Sequence, residues 1–262
     1  MCTIIAIKDR HPDFPLVVAA NRDEFYSRAA SGPRRVAEDP VTVAGVDLQK
    51  GGTWMGANER GIFVSLTNQR QHEGADRARA SRGEVVLDAL SMSDVESIDD
   101  RLTSIDAREY NGFNLLYGDA ELLRVAYARA DRAAIEVEAL DAGGWVLTND
   151  RMGSPDFPKA ERAQALLSPL VETRWPELAT RFGALLADHD TPPIAAIRPP
   201  PEGSLFTRET LQSIQSLCVH TPVYGTRSST LIALSSGRVE HYLYADGPPC
   251  EAELVEVTEL FR

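Results

Sequence analysis

Cys2 stands directly after Met1 at the head of a short apolar run, Thr3-Ile4-Ile5-Ala6-Ile7. Removal of Met1 would place a thiol and a free α-amine on one residue, and an N-terminal amine can serve as the base for an adjacent nucleophile. The amine titrates near ~7.7–8.0 and the thiol near ~8.5, so both change state close to neutral pH. A small residue at position 2 permits that removal. The chemistry suggested is attack on a carbonyl; the plainer reading of the same residue is a small buried hydrophobe.

Polar groups recur where apolar runs end. Leu16–Ala20 leads into Asn21-Arg22-Asp23-Glu24, and in an extended chain Asn21 and Asp23 face one way while Arg22 and Glu24 face the other. Asp23 is placed to hold the Cys2 amine by a charge-assisted hydrogen bond. Leu66-Thr67-Asn68 and Val146-Leu147-Thr148-Asn149-Asp150 end in the same manner, and Tyr224-Gly225-Thr226-Arg227 opens a further strand. Asn68 and Asn149 offer amide donors of the kind that stabilise an oxyanion, and Arg227 is a candidate to favour a thiolate. Taken singly, each is also an ordinary turn or surface residue.

Other chemistries lack their marks. His11, His72, His189, His220 and His241 never fall at the close spacing of two ligands on one face, and Cys2, Cys218 and Cys250 show neither metal nor disulfide spacing. No metal and no cofactor are expected. There is no phosphate-binding glycine loop and no Gly-x-Ser-x-Gly elbow.

The elements that must position these groups come in blocks. Strands are expected over residues 2–8, 15–20, 53–57 and 61–67, the last two as a hairpin turning at Asn58 and Gly61. Two helices follow, with capping boxes at Ser81/Glu84 and Ser93/Glu96; Val95, Ile98, Leu102 and Ile105 give the second an apolar stripe. Strands near 113–117, 122–127, 134–138 and 144–148 precede helices at 159–167, 177–188 and 207–217, with strands at 230–234, 239–244 and 252–257 to close. Alternating blocks point to α+β layers, with sheets covered by helices.

The 262 residues are 43% hydrophobic and 25% charged, which suits one domain spanning 1–262. A net charge of −12 argues against nucleic acid or an anionic membrane surface as partner, leaving small molecules. No signal peptide and no membrane span are recognised, so a cytoplasmic location is expected. Oligomeric state is left open.

Cys2 together with Ala20-Asn21-Arg22-Asp23-Glu24-Phe25-Tyr26-Ser27-Arg28, Gly51-Gly52-Thr53-Trp54-Met55-Gly56, Ser81-Arg82-Gly83-Glu84, Phe113-Asn114-Leu115-Leu116 and Leu147-Thr148-Asn149-Asp150 resembles the Asn-Arg-Asp-Glu family, also called the transport and Golgi organisation protein 2 family. That family is similar to the cysteine N-terminal nucleophile hydrolases, such as bile salt hydrolase, penicillin V acylase and acid ceramidase. The resemblance implies a four-layer αββα sandwich of antiparallel sheets. It implies Cys2 as nucleophile, Asp23 orienting its amine, Asn68 and Asn149 at the oxyanion and Arg227 near the thiol; Asn21, Arg22 and Trp54 are expected at the substrate. The implied reaction is hydrolysis or acyl transfer on a non-peptide amide, ester or thioester. One departure stands out, since the hydrolases generally carry Arg-Asn-x-Asp where this chain has Ala20-Asn21-Arg22-Asp23. A second expectation is a non-catalytic haem or lipid/acyl-CoA binding and trafficking protein on the same scaffold, although the chain has no Cys-x-x-Cys-His haem attachment.

Overall fold

The computed structural model describes residues 2–262; Met1, and with it the expected removal of Met1, lies outside the described residues. The first apolar run forms β1 (Thr3–Lys8), buried along its whole length. A strand buried on both faces belongs inside a layered structure. Ile4 and Ala6 accordingly join a core between two sheets, while Ile5 and Ile7 join another under helices.

The chain continues through β2 (Leu16–Phe25), β3 (Ala30–Glu38), β4 (Val41–Asp47), β5 (Met55–Asn58) and β6 (Phe63–Asn68) to α1 (Arg82–Leu90) and α2 (Val95–Thr103). Then come β7 (Phe113–Gly118), β8 (Leu123–Ala128), β9 (Glu136–Ala139) and β10 (Gly143–Leu147), followed by α3 (Lys159–Leu167), α4 (Glu177–Leu186) and α5 (Arg208–Ser213). It closes with β11 (Tyr224–Ser235), β12 (Arg238–Ala245) and β13 (Val255–Glu256). One sheet has the order β10-β1-β2-β11-β12-β13, the other β3-β4-β5-β6-β7-β8-β9, and neighbouring strands in both are antiparallel.

Helices α1 and α2 cover the outer face of the seven-stranded sheet through Val86, Leu90, Ile98 and Leu102. Helices α3 and α4 cover the six-stranded sheet through Ala163, Leu178, Phe182 and Leu185. On α4 the last three recur at four- and three-residue intervals, one stripe on one face. Each such side chain contributes ~1.5–3 kcal/mol by leaving water. The result is the expected four-layer αββα sandwich, with strand ends meeting along the seam between the sheets.

Several local expectations are corrected. β2 does not stop at Ala20 but runs through Asn21–Glu24, because β11 pairs with it as far as Phe25. β3 and β4 were not expected; β3 is an edge strand with no buried residue and carries Pro33, so it shows no apolar alternation. Neither capping box forms. Ser81 caps α1 without a side-chain bond, and the oxygen accepting from Ser97 N–H at the start of α2 belongs to Asp94, not Ser93. The helix expected to reach 217 ends at Ser213, and the strand expected over 252–257 shrinks to two residues.

Candidate active site

The position of Cys2 follows from the two strands beside it. Thr3 pairs with Asn21 on β2, and Ile4 pairs with Leu147 on β10. Continuing those registers sets Cys2 level with Arg22 on one side and Asn149 on the other. Cys2 is half-buried and lines a cavity of about 200 Å³ with Arg22, Asp23, Arg28, Trp54, Asn68 and Arg82 among its walls.

Asp23 is deeply buried, and Thr226 on β11 donates its hydroxyl to Oδ1 at 2.7 Å. Across from Oδ2, at 3.8 Å, lies the ammonium of Lys159, the first residue of α3; both side chains are fully buried. Burial pushes the Asp23 carboxyl above its ordinary range and Lys159 below its own, and each charge offsets part of the other's penalty. Burial also raises the Cys2 thiol, while the backbone N–H of Asp23 and the charge of Arg22 work in the opposite direction. Sequence reasoning missed Lys159. A lysine heading a helix reads as solvated, and only the fold shows that this one faces inward.

The oxyanion candidates meet directly. Asn149 Nδ2 donates to the Asn68 carbonyl at 2.6 Å, which leaves its second N–H uncommitted by that bond. Asn149 is 2% exposed, and its Oδ1 has no hydrogen-bond partner among the described residues. A buried network holds these two strand ends together. Thr67 donates to the Thr148 carbonyl at 2.6 Å, and Asn114 Nδ2 reaches Thr67 Oγ1 at 3.0 Å and the Asp150 carbonyl at 3.2 Å. Asn114 therefore sews β6 and β7 of one sheet to the end of β10 in the other.

The walls are built by two glycine-bearing segments. Gly52 and Gly83 approach backbone to backbone, so closely that a Cβ on Gly52 would lie 2.6 Å from the Gly83 carbonyl carbon, and Thr53 N–H donates to that residue's carbonyl at 3.2 Å. The Trp54 ring then packs against Gly45, where a Cβ would stand 2.4 Å from it. The guanidinium of Arg22 stacks on the same indole, 4.2 Å from its centre.

Six basic and four acidic side chains line this cavity in a chain of net charge −12. Most of them cancel. Arg28 pairs with Asp47 at 2.5 Å and Glu24 at 3.7 Å, and Arg79 with Asp76 at 3.7 Å. Arg22, 6% exposed, and the half-buried Arg82 have no carboxylate within ion-pair distance among the described residues. Burial lowers the pKa of both, and Arg28 adds to the strain on each. Arg22 and Arg82 thus bring positive charge to the wall of the cavity that holds the thiol, with the charge of Glu24 favouring both.

The structure therefore brings Cys2, Arg22, Asp23, Trp54 and Asn68 to one cavity, with Asn149 bonded behind Asn68. It leaves two sequence candidates outside. Asn21 points to the helical layer, donating to the carbonyls of Leu186 and Leu217 at 2.8 and 2.9 Å and accepting from Ser229. Arg227 sits at an irregularity in the β2–β11 pairing and spends its guanidinium on the carbonyls of Phe25 and Tyr26. The guanidinium that lines the cavity with Cys2 on β2 is that of Arg22, two residues beyond Ala20, and its charge favours the thiolate. The metal-donor cluster found among the described residues lies elsewhere in the fold.

A family profile described as Transport and Golgi organisation 2 matches residues 1–243. The Transport and Golgi organization protein 2 homolog of Bos taurus is 32% identical over 250 residues, covering 90% of this chain and 89% of that protein. Among solved structures, a cysteine-to-alanine variant of conjugated bile acid hydrolase from Clostridium perfringens superposes with a TM-score of 0.60 at 13% identity, covering 100% of this chain and 94% of the other. An N-acylethanolamine-hydrolyzing acid amidase ortholog from Caenorhabditis elegans gives 0.56 at 13% identity, over 89% and 92%. At that identity the likeness is one of fold. No helix among the described residues is long and apolar enough to cross a membrane.

Proposed function

The chain belongs to the Transport and Golgi organisation 2 family, and from that premise we propose that it is a cysteine N-terminal nucleophile hydrolase or acyltransferase. Its substrate is a small non-peptide amide, ester or thioester that carries an anionic group. The observation that carries this reading is the placement of Cys2 at the cavity between Arg22 and Asn149, with the buried Asp23 carboxylate beside it.

With Met1 removed, the Cys2 amine accepts the thiol proton and the sulfur attacks the substrate carbonyl carbon, forming a C–S bond while the C=O electron pair moves to oxygen. Amide N–H groups such as those of Asn149 stabilise the oxyanion. Asp23, held by Thr226 and Lys159, keeps the resulting ammonium in place. Collapse expels the amine, alcohol or thiol, which takes the proton from that ammonium. Water then attacks the thioester by the same route, returning the thiol and releasing the acid. Arg22 and Arg82 support recognition of the anionic group, since neither has a carboxylate within ion-pair distance among the described residues.

The test is intact-mass analysis with a thiol-reactive acyl probe. Loss of Met1 and one adduct on Cys2, absent from Cys2→Ala, is expected; retained Met1, or a Cys2 no more reactive than Cys250, overturns the mechanism. Binding of an anionic acyl ligand without any adduct would identify a carrier on the same scaffold.

A further inference from the structure

Away from the cavity, four side chains with metal-binding atoms converge. The donor atoms of His189, Cys218, His220 and Cys250 all lie within 4.8 Å of one another. They come from three separate stretches of chain. His189 follows α4, Cys218 and His220 precede β11, and Cys250 lies between β12 and β13. We propose that these residues form a structural zinc site.

The separations among Cys218, His220 and Cys250 are those of three corners of a tetrahedron around one ion, and the donor atom of His189 lies within 4.8 Å of all three. With Zn–S near 2.3 Å and Zn–N near 2.0–2.1 Å, two thiolates on a tetrahedral zinc sit about 3.8 Å apart, and a thiolate and an imidazole nitrogen about 3.6 Å. The two sulfurs are 3.7 Å apart, and His220 Nε2 lies 3.6 Å from Cys218 Sγ and 3.3 Å from Cys250 Sγ. His189 Nδ1 meets the Cys218 carbonyl at 3.2 Å, a contact in which the nitrogen donates. That bond sets the tautomer and leaves Nε2 as the ligand atom, the arrangement typical of a metal-bound histidine held from behind. The two imidazoles lie side by side, with ring centres 5.2 Å apart.

Two sulfurs and two imidazoles in a tetrahedron suit zinc over the harder divalent cations. Four protein ligands close the coordination sphere, which is the mark of a structural ion. None of the four lines the cavity that holds Cys2. The ion would instead staple the supports of that cavity. Asn21 is bonded to Leu186 and Leu217, beside the ligand-bearing stretches, and Cys218 N–H bonds the Asp188 carbonyl at 2.8 Å. Thr226, which holds Asp23, also accepts from Val219 N–H at 2.8 Å, between the ligands Cys218 and His220.

The test is metal analysis of the full chain purified under thiol reductant without chelator, followed by cobalt titration of the stripped protein. About one zinc per chain and a thiolate-to-cobalt charge-transfer band with tetrahedral ligand-field intensity are expected. Cys250→Ser and His220→Ala change exposed residues, so circular dichroism should show them folded while both readouts fall. Cys2→Ala should keep the metal, which separates this site from the nucleophile. Zinc and cobalt uptake by the unaltered chain no greater than by Cys250→Ser would overturn the proposal. So would a Cys218–Cys250 disulfide that persists under reductant.

Discussion

Arg22 lies over Trp54 with its guanidinium carbon 4.2 Å from the ring centre, which carries a cation from β2 of one sheet onto the indole just before β5 of the other. The same charge lowers the pKa of Cys2, whose thiol burial otherwise raises. The thiolate is the reactive form, so alkylation of Cys2 should climb with pH and reach half its limit above the ordinary thiol value of ~8.5. Replacing Arg22 with Gln removes a lowering influence. The Cys2 profile should then move to still higher pH, while Cys250 keeps its own. Peptide-resolved mass spectrometry of alkylation rates checks this; an unmoved Cys2 profile would show that Arg22 does not act on the thiol.

Gly45 is the space in which Trp54 lies. Any Cβ there would fall inside the indole, so Gly45→Ala must tilt the ring or shift β4. A destabilisation of about 1–3 kcal/mol is expected from such overpacking, along with loss of the Arg22 stack. Urea unfolding reads the first effect. The second appears as a Cys2 alkylation profile that moves in the direction of Arg22→Gln.

Arg82 separates recognition from reactivity. A charged hydrogen bond is worth ~1.5–3 kcal/mol, so Arg82→Ala should raise KM for an anionic substrate about ten- to a hundredfold. An uncharged analogue of the same acyl group should be nearly indifferent to the change. Equal effects on both would remove the anion from the substrate description.

Lys159 and Asp23 form a fully buried pair of opposite charges. Deleting one partner of such a pair costs about 3–5 kcal/mol, because the remaining charge stays in a poor dielectric. Lys159→Met should therefore unfold at markedly lower urea. Lys159→Met combined with Asp23→Asn should recover part of that loss, although Cys2 chemistry should fail in the double variant. A double variant no more stable than the single one would mean that the charge pair is not the source of the cost.

Layers and most strands were legible because long apolar runs and helical stripes such as Leu178, Phe182 and Leu185 report burial directly. The cavity was partly legible, since Cys2, Asp23 and Asn68 sit at strand ends that the apolar pattern marks. What escaped was contributed by distant elements. Nothing local distinguishes Lys159 or Arg82 from a surface cation, and the placement of Arg227 on the carbonyls of Phe25 and Tyr26 goes with an irregular pairing between β2 and β11. The grouping of His189, Cys218, His220 and Cys250 escaped for the same reason, because spacing rules see ligands on one element and these span three stretches.

Asn149 gives the sharpest test of the oxyanion reading. Its Nδ2 bonds the Asn68 carbonyl, and the β1–β10 register sets it level with Cys2 on the neighbouring strand; in the proposed mechanism its remaining N–H is assigned to the oxyanion. Loss of one such donor typically lowers kcat by about 10²–10³ with little change in ground-state binding. Asn149→Ala should therefore depress kcat and kcat/KM together and leave KM near its original value. Asn149→Asp keeps the shape but presents a carboxylate to the developing oxyanion, so it should be at least as slow. Single-turnover acylation of Cys2, followed by mass, isolates the step. If Asn149→Ala acylates at the original rate while its thermal stability drops, the residue is a brace for Asn68 and the oxyanion donors must be sought among backbone N–H groups.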